Sequence, residues 1–183
     1  GAPGSGKGSQ CKWITRDYNV PHISTGDIFR KNISEGTELG KKAQEFINKG
    51  ELVPDAITID MLKDEVEKNM DKAGFLFDGF PRTIAQAEAL DAFLQSINLE
   101  VTATVGLEAD DDVLVARILE RGKTSGRADD QDETKIRTRY EEYNEKTAPL
   151  IEYYSNKNKY HAVNGIGSIQ EITERLSAVI DRF

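Results

Sequence analysis

Residues 1–10 read "GAPGSGKGSQ", a glycine-rich loop that leads into a predicted helix. Gly1, Gly6 and Lys7 match the pattern G-x-x-x-x-G-K. In that pattern the glycines let successive backbone N–H groups turn towards a phosphate, and the lysine reaches the outer phosphates. Residues 6–18 continue with apolar side chains at the spacing of one helix face. The stretch therefore predicts a phosphate-binding loop in an α/β fold.

The residue that follows Lys7 departs from the general pattern. Position 8 is glycine, and the first hydroxyl arrives one residue later, at Ser9. In Ras-like proteins the hydroxyl directly after the lysine coordinates Mg²⁺. Direct coordination of Mg²⁺ by Ser9 is therefore less expected than in that class.

The rest of the chain alternates predicted strands and helices. Short apolar runs that end at a polar residue or a glycine predict strands, and amphipathic segments between them predict helices. A long helix is expected from about Glu133 to Asn156, and the last helix begins at a capping box between Ser168 and Glu171. This alternation predicts an α/β domain with a doubly wound, mostly parallel sheet and helices on both faces. The strands are "PHIST" (21–25), "GFLFDG" (74–79), "VTATVGLE" (101–108) and "YHAVNG" (160–165).

Composition limits the class of protein. The chain has 183 residues, enough for one domain, and its apolar runs are far shorter than the roughly 18 residues that indicate a membrane span. A net charge of −8 argues against a nucleic-acid partner. The single cysteine, Cys11, excludes an intramolecular disulfide and a zinc site built on several thiolates, and it favours a reducing, cytoplasmic compartment. A polyanion would bind only where basic side chains concentrate.

Six further blocks of sequence carry a family resemblance. Together with the phosphate loop, "ISTGDIFR", "GELVPD", "FLFDGFPRTIAQAE", "ARILERG", "SGRADDQDET" and "TAPLIEYY" resemble the adenylate kinases, in the family's order and over essentially the whole chain. The resemblance implies a P-loop NTPase-type sheet, Mg-ATP, AMP and ADP as ligands, and reversible phosphoryl transfer from ATP to AMP that gives two ADP. It also implies in-line transfer stabilised by Lys and Arg, no covalent intermediate, and a monomer.

The resemblance also implies how the domain is divided. It predicts a single domain over residues 1–183, with a short lid in place of the long lid that carries zinc-binding cysteines in some relatives, so no zinc site is expected. The core would comprise residues 1–24, 56–121 and 132–183, with an AMP-binding subdomain at about 25–55 and the lid at about 122–131.

The resemblance assigns the ATP half of the site to the phosphate loop and to the helix that contains "ARILERG". Arg117 matches the residue that stacks on the ATP adenine, and Arg121 matches one that contacts phosphate. Asp78 resembles the acid that orders Mg²⁺ through water, with Asp27 and Ser9 nearby. The implied ATP-binding residues are Gly4, Ser5, Gly6, Lys7, Gly8, Ser9, Arg117, Arg121 and Gly167.

The AMP half draws on several blocks. Thr25 matches the wall against the monophosphate base, and Gln86 the amide that reads adenine; both favour AMP over UMP or CMP. The implied AMP-binding residues are Thr25, Gly26, Arg30, Val53, Gly79, Arg82, Gln86, Arg127 and Arg139. The implied catalytic residues are Lys7, Arg82, Arg121, Arg127 and Arg139.

Several alternatives stay open at this point. One residue is inserted after the lid, so Arg137 is the alternative to Arg139. Without the family, Arg30 would be a surface ion-pair partner and Gln86 a residue of a helix surface. Rival functions are a UMP/CMP-type kinase, a one-nucleotide switch or motor, and a catalytically weak nucleotide-binding scaffold. His22, His161, Trp13 and the tyrosines are interpreted as structural or packing residues.

A phosphate loop of this type follows a strand in the centre of its sheet. Four strands are predicted after the loop, whereas the family has five in its core sheet. About six or seven apolar residues are therefore expected before Gly1, as a strand of ordinary length.

Overall fold

A computed structural model describes residues 1–183, apart from the side chain of Ala128. Helices and strands alternate along the chain, which confirms the predicted α/β class. The elements in chain order are α1 (Lys7–Tyr18), β1 (His22–Ser24), α2 (Thr25–Ser34), α3 (Glu38–Ile47), α4 (Asp55–Glu67), β2 (Leu76–Asp78), α5 (Ile84–Ser96), β3 (Thr104–Glu108), α6 (Asp111–Gly122), a 3₁₀ turn (Ala128–Asp130), α7 (Glu133–Glu142), a π-helical segment (Tyr143–Thr147), α8 (Pro149–Ser155), β4 (Tyr160–Asn164) and α9 (Ile169–Ile180).

The strands pair in parallel, as predicted. β1 pairs with β2, with Ser24 opposite Asp78, and β3 pairs with β4, with Glu108 opposite Asn164. Within the described residues these are two separate pairs, and a cavity of about 700 Å³ lies between β2 and β3 and continues into the cleft at the strand ends. The additional strand expected before Gly1 stays a prediction.

Helices cover both faces of the first strand pair because successive strand residues point to opposite sides. Ile23 packs with residues of α4 and α5, including Leu62 and Leu90. The neighbouring His22 and Ser24 therefore face the other side, where α1 contacts both β1 and β2. A second cluster joins α1 and α9 to β3 and β4, and it comprises Ile14, Leu107, Val163, Ile172, Leu176 and Val179.

The prediction of one continuous helix from about Glu133 to Asn156 is wrong in one respect, because the helix is interrupted. α7 ends at Glu142, a π-helical segment follows, and α8 begins at Pro149. Proline has no backbone N–H and its ring clashes with the carbonyl one turn earlier, so a regular helix cannot pass through it. The π-helical segment absorbs that mismatch.

Other local predictions have mixed outcomes. The capping box is present, with Ser168 accepting from the backbone of Glu171 and the Glu171 side chain accepting from the backbone of Ser168. The strand "VTATVGLE" begins only at Thr104, where its partner β4 begins. Trp13, expected to be a packing residue, is 40% exposed and lies against Arg16.

None of the helices among the described residues is both long enough and apolar enough to span a membrane.

Candidate active site

The phosphate loop ends at the N-terminus of α1, where the first backbone N–H groups of the helix need external partners. Gly6 precedes the helix at φ +91°, a left-handed conformation that favours glycine. A Cβ built on Gly6 would meet no atom within 4 Å among the described residues, so the space in front of the helix is open. An open helix N-terminus, with its partial positive charge, suits a phosphate group.

Lys7 lies folded back inside this loop. Its Nζ donates to the carbonyl of Gly1 at 2.7 Å, to that of Ala2 at 3.1 Å and to the Ser5 hydroxyl at 3.3 Å. Burial lowers the pKa of Lys7 to about 8, and the charges of Arg82 and Arg139 act in the same direction. The charge of Asp78 opposes this shift without cancelling it, and a bound phosphate would add further negative charge beside the amine.

Two carboxylates face the loop. Asp78, at the end of β2, is hydrogen-bonded to Nε2 of His22 at 3.3 Å. Burial alone would raise the pKa of Asp78, but the His22 hydrogen bond and the charge of Lys7 hold it below its usual value. Burial likewise opposes ionisation of Asp27, and its hydrogen bond from Arg30 outweighs that effect and lowers the pKa. Both groups are therefore carboxylates at neutral pH, the ligand type that suits Mg²⁺ and its bound waters.

The predicted arginines of the AMP side converge on the same cleft. Arg30 donates to Asp27 at 2.5 Å, and Arg127 lies 3.9 Å from the same carboxylate oxygen. Arg82 is held by a hydrogen bond from its Nε to the Gly79 carbonyl at 2.7 Å. Burial lowers the pKa of the Arg82 guanidinium, and the neighbouring charge of Arg139 acts in the same direction. Mutual repulsion of these cations is relieved when an anion binds between them.

Asp130 is a functional candidate that the sequence analysis missed. Its side chain is fully buried and accepts two hydrogen bonds from Arg121, at 2.6 and 2.8 Å, and one from Arg139 at 2.6 Å. Arg139 also lies 3.0 Å from Asp129. A single buried carboxylate thus fixes two of the predicted phosphate ligands. The available signal was the acid pair of "ADD" between the two arginines, which the sequence analysis assigns only to the short lid.

Gln86 is buried, whereas its sequence without the family resemblance would place it on a helix surface. Only 2% of the residue is exposed, so that placement is wrong. Its Nε2 donates to Asp55 at 2.8 Å, and its Oε1 accepts from the backbone N–H of Arg82 at 2.7 Å. Thr83 donates to the same Asp55 oxygen at 3.1 Å. Asp55, the last residue of "GELVPD", is thus a second candidate that the sequence analysis missed.

The helices of the predicted AMP-binding subdomain form a tight pair. At Gly40 in α3, an added Cβ would lie 2.1 Å from the backbone carbonyl of Asn32 in α2, so only glycine allows this approach. The Thr37 hydroxyl donates to the Asn32 side chain at 2.8 Å. Phe29, Ala43 and Val53 of this subdomain form a hydrophobic cluster with Met61 of α4, which belongs to the predicted core.

Most of the predicted AMP-side residues line the cavity of about 700 Å³. Thr25 is fixed there by a hydrogen bond from its hydroxyl to the Gly79 carbonyl at 2.9 Å. The predicted residues that line the cavity are Lys7, Thr25, Gly26, Arg30, Val53, Asp78, Gly79, Arg82, Gln86 and Arg139.

The residues predicted for the ATP base form a separate group. Arg117 on α6 donates to the Gly165 carbonyl at 3.0 Å. Gly167, with φ +132°, lies two residues further along the same loop. Ser9 is exposed on the first turn of α1. Arg137 is on an exposed surface, 3.3 Å from Glu133, whereas Arg139 is half-buried beside Asp130, so the geometry supports Arg139.

Known proteins are similar to this chain over its whole length. The family model described as adenylate kinase matches residues 1–159. An adenylate kinase of Flavobacterium psychrophilum is 67% identical over 181 residues, which cover 99% of this chain and 95% of that protein. An adenylate kinase of Flavobacterium johnsoniae is 65% identical over 181 residues, with the same coverage. An adenylate kinase of Bacteroides thetaiotaomicron is 46% identical over 182 residues, which cover 100% of this chain and 96% of that protein.

Proposed function

The chain belongs to the adenylate kinase family, with its P-loop NTPase fold, and from that premise we propose which residues carry out the reaction. The protein is an ATP:AMP phosphotransferase that reversibly transfers a phosphoryl group from Mg-ATP to AMP and gives two ADP. We propose that ATP binds Gly4, Ser5, Gly6, Lys7, Gly8, Ser9, Arg117, Arg121 and Gly167, and that AMP binds Thr25, Gly26, Arg30, Val53, Gly79, Arg82, Gln86, Arg127 and Arg139.

The observation that carries this proposal is a second group of cations facing the phosphate loop. Arg82 and Arg139 are near enough to Lys7 for their charges to lower its pKa, and Arg30 acts on Arg82 in the same way. A switch or motor that binds one nucleotide needs one phosphate site, whereas this cleft has cations for two. The arrangement supports the meeting of two polyanions end to end.

The proposed mechanism consists of positioning and charge neutralisation. Two nucleotides repel each other, and cations fixed before binding reduce that repulsion where the phosphoryl group moves in line between them. Lys7 would bind the outer ATP phosphates, while Arg82 and Arg139 would hold the acceptor phosphate. Arg121, held by Asp130, and Arg127, in the lid, would also contact phosphate. No residue is required to form a covalent intermediate.

Mg²⁺ would be carried in with ATP, where it neutralises phosphate charge. Asp78, beside Lys7, and Asp27, beside Arg30, fit the role of holding its water ligands because their lowered pKa values keep both side chains ionised. Ser9 is exposed on the first turn of α1, at the phosphate end, which suits a similar role.

We propose two mobile parts in a single domain over residues 1–183. The hydrophobic cluster of Phe29, Ala43 and Val53, which joins the core through Met61 of α4, supports a subdomain at about 25–55. The short segment at about 122–131 would close over ATP and exclude water that would hydrolyse it. The remainder, at 1–24, 56–121 and 132–183, would form the core.

The protein is further proposed to act as a monomer in the cytoplasm, without a nucleic-acid or membrane partner. The net charge of −8 supports the absence of a nucleic-acid partner, and the single, buried Cys11 supports a reducing compartment. The monomeric state rests on the family resemblance alone. Light scattering of the purified protein with and without nucleotides tests the oligomeric state, and a stable dimer would contradict the proposal.

Phosphoryl transfer from Mg-ATP, measured against AMP, UMP, CMP and GMP as acceptors, tests the proposed specificity. Transfer to AMP is expected to exceed transfer to UMP or CMP because Thr25 and Gln86 border the acceptor cavity. A preference for UMP or CMP would contradict the adenine assignment. ATP hydrolysis that does not depend on any acceptor would instead favour a nucleotide switch.

A further inference from the structure

Three side chains of different chemistry meet behind the phosphate loop. Cys11 lies on α1, His22 begins β1 and Asp78 ends β2. One donor atom from each, the thiol sulfur, an imidazole nitrogen and a carboxylate oxygen, lies within 4.8 Å of the other two. The parallel register of β1 and β2 explains the meeting, because His22 and Asp78 point to the same face and α1 packs over that face.

The set matches the ligands that Zn²⁺ prefers. Zn²⁺ binds thiolate sulfur at about 2.3 Å and imidazole nitrogen or carboxylate oxygen at about 2.0–2.2 Å. At tetrahedral angles these bonds separate neighbouring donor atoms by roughly 3.3–3.6 Å. The His22 and Asp78 atoms are already 3.3 Å apart, and the Cys11 sulfur lies within 4.8 Å of one donor atom of each, so side-chain shifts alone would bring the three ligands to these separations. Mg²⁺, by contrast, takes oxygen ligands in octahedral geometry.

The cluster is enclosed and yet connected to the cleft. Cys11 is 7% exposed, and both Cys11 and Asp78 line the cavity that also contains Lys7. At the strand ends Cys11 and Asp78 border the same cleft as Lys7, and that cleft gives room for a fourth ligand from solvent. Metal sites with three protein ligands and one exchangeable ligand have this form.

We propose that Cys11, His22 and Asp78 form a Zn²⁺-binding site, and that Zn²⁺ bound there inhibits phosphoryl transfer. On binding, a bond forms between the Cys11 sulfur and Zn²⁺, and the thiol proton is released to solvent, with no change of oxidation state. The inhibition rests on the proposed function: an Asp78 carboxylate bound to Zn²⁺ is no longer available to the water ligands of the nucleotide's Mg²⁺. The metal site itself does not depend on that role.

Binding is tested first, on the full chain without nucleotide, by titration with Co²⁺ as a coloured substitute for Zn²⁺. A one-to-one complex with a thiolate-to-cobalt absorption band is expected, and Zn²⁺ should displace the Co²⁺. The band should disappear in Cys11→Ala, and Co²⁺ affinity should fall more than about tenfold in His22→Gln. His161→Gln, which changes the other histidine of the chain, should bind like the wild type. Absence of the band in the wild type, or its retention in Cys11→Ala, would overturn the site.

Inhibition is tested separately, as activity at saturating Mg-ATP and AMP with increasing Zn²⁺. Wild type and His161→Gln should lose activity over the concentration range in which Zn²⁺ binds. Cys11→Ala should be active in the absence of Zn²⁺ and should need at least tenfold more Zn²⁺ for the same loss, since one of three ligands is missing. Equal inhibition of Cys11→Ala would overturn the inhibitory role. Binding of Zn²⁺ without inhibition would uphold the site but contradict the proposed role of Asp78 with Mg²⁺.

Discussion

Arg121 and Asp130 form a two-bonded ion pair in which both carboxylate oxygens accept from one guanidinium, at 2.6 and 2.8 Å. Arg139 donates to the same carboxylate from a different helix, so one anion joins α6 to α7. Burial would favour the protonated acid, but hydrogen bonds from Arg121 and Arg139 outweigh it and lower the pKa of Asp130. The two cations are therefore held in position before any nucleotide arrives.

Replacing Asp130 should impair both stability and catalysis. In Asp130→Ala two guanidinium groups lose their shared buried partner, and the free energy of unfolding should fall by about 3 kcal/mol. For a domain of this size the Tm should fall by about 6–12 °C. Displaced arginines should also lower kcat by roughly 10²-fold. Thermal melts and initial rates on the folded fraction measure the two effects. Glu133→Gln, which removes an exposed partner of Arg137, is the control and should change neither.

A pair of matched variants decides between Arg139 and Arg137 as the phosphate ligand after the lid. Arg139 lines the cleft, and Arg137 lies on an exposed surface with 71% of its side chain accessible. Arg139→Ala should lower kcat by roughly 10²–10³-fold, because a fixed cation at the transferring group is lost. Arg137→Ala should stay within about twofold of the wild type, since surface substitutions of this kind act weakly. The reverse order of the two rates would move the assignment to Arg137.

Asp55 should control the affinity for AMP without contacting phosphate. It accepts a hydrogen bond from the Gln86 amide and so fixes which way the amide points. Asp55→Ala should raise the KM for AMP about tenfold and leave the KM for ATP unchanged, because one hydrogen bond that orients the base-reading group is lost. Asp55→Asn keeps an oxygen acceptor and should restore much of the affinity. Equal changes in both KM values would indicate a general structural defect instead.

Binding of ATP should take up a proton at alkaline pH. Burial lowers the pKa of Lys7 to about 8 in the free protein, so at about pH 9 the amine is mostly neutral, although an unperturbed lysine would be charged. Phosphate favours the charged amine and raises the pKa again, so binding draws a proton from the buffer. Calorimetry in two buffers of different ionisation enthalpy measures this uptake, of up to about one proton per ATP.

Lys7→Arg is the control for the proton uptake, because a guanidinium stays charged at this pH. It should bind nucleotide with little or no uptake. If Lys7→Arg takes up as many protons as the wild type, another group is titrating. Lys7 would then be charged in the free protein at this pH.

The sequence predicted well what depends on local pattern. Element order, parallel pairing and the capping box at Ser168 follow from periodicity and from hydrogen bonds between residues near in sequence. The interruption of the long helix could also have been predicted from Pro149, because its effect on a helix is local.

The roles of Asp130, Asp55 and His22 could not be predicted in the same way. Asp130 acquires its role only where α6 meets α7, and Asp55 only where the start of α4 meets α5. His22 was interpreted as structural, and its contact with Asp78 depends on the register of two strands. Burial and partner choice at these positions are tertiary properties, which a linear pattern does not contain.

The close approach of α2 and α3 at Gly40 has a consequence for how a monophosphate is recognised. The two helices cannot slide past each other without breaking their backbone contact at Gly40. They should therefore rotate together as one rigid unit about Thr25, whose hydroxyl donates to the Gly79 carbonyl. Arg30, proposed for the phosphate, lies on α2, and Val53, proposed for the base, packs with Phe29 of α2 and Ala43 of α3, so both should move with this unit. A nucleoside without phosphate would have to move the whole rigid unit while making only the contacts to the base. We therefore expect phosphate and base to be recognised jointly, with neither alone enough to close the cleft.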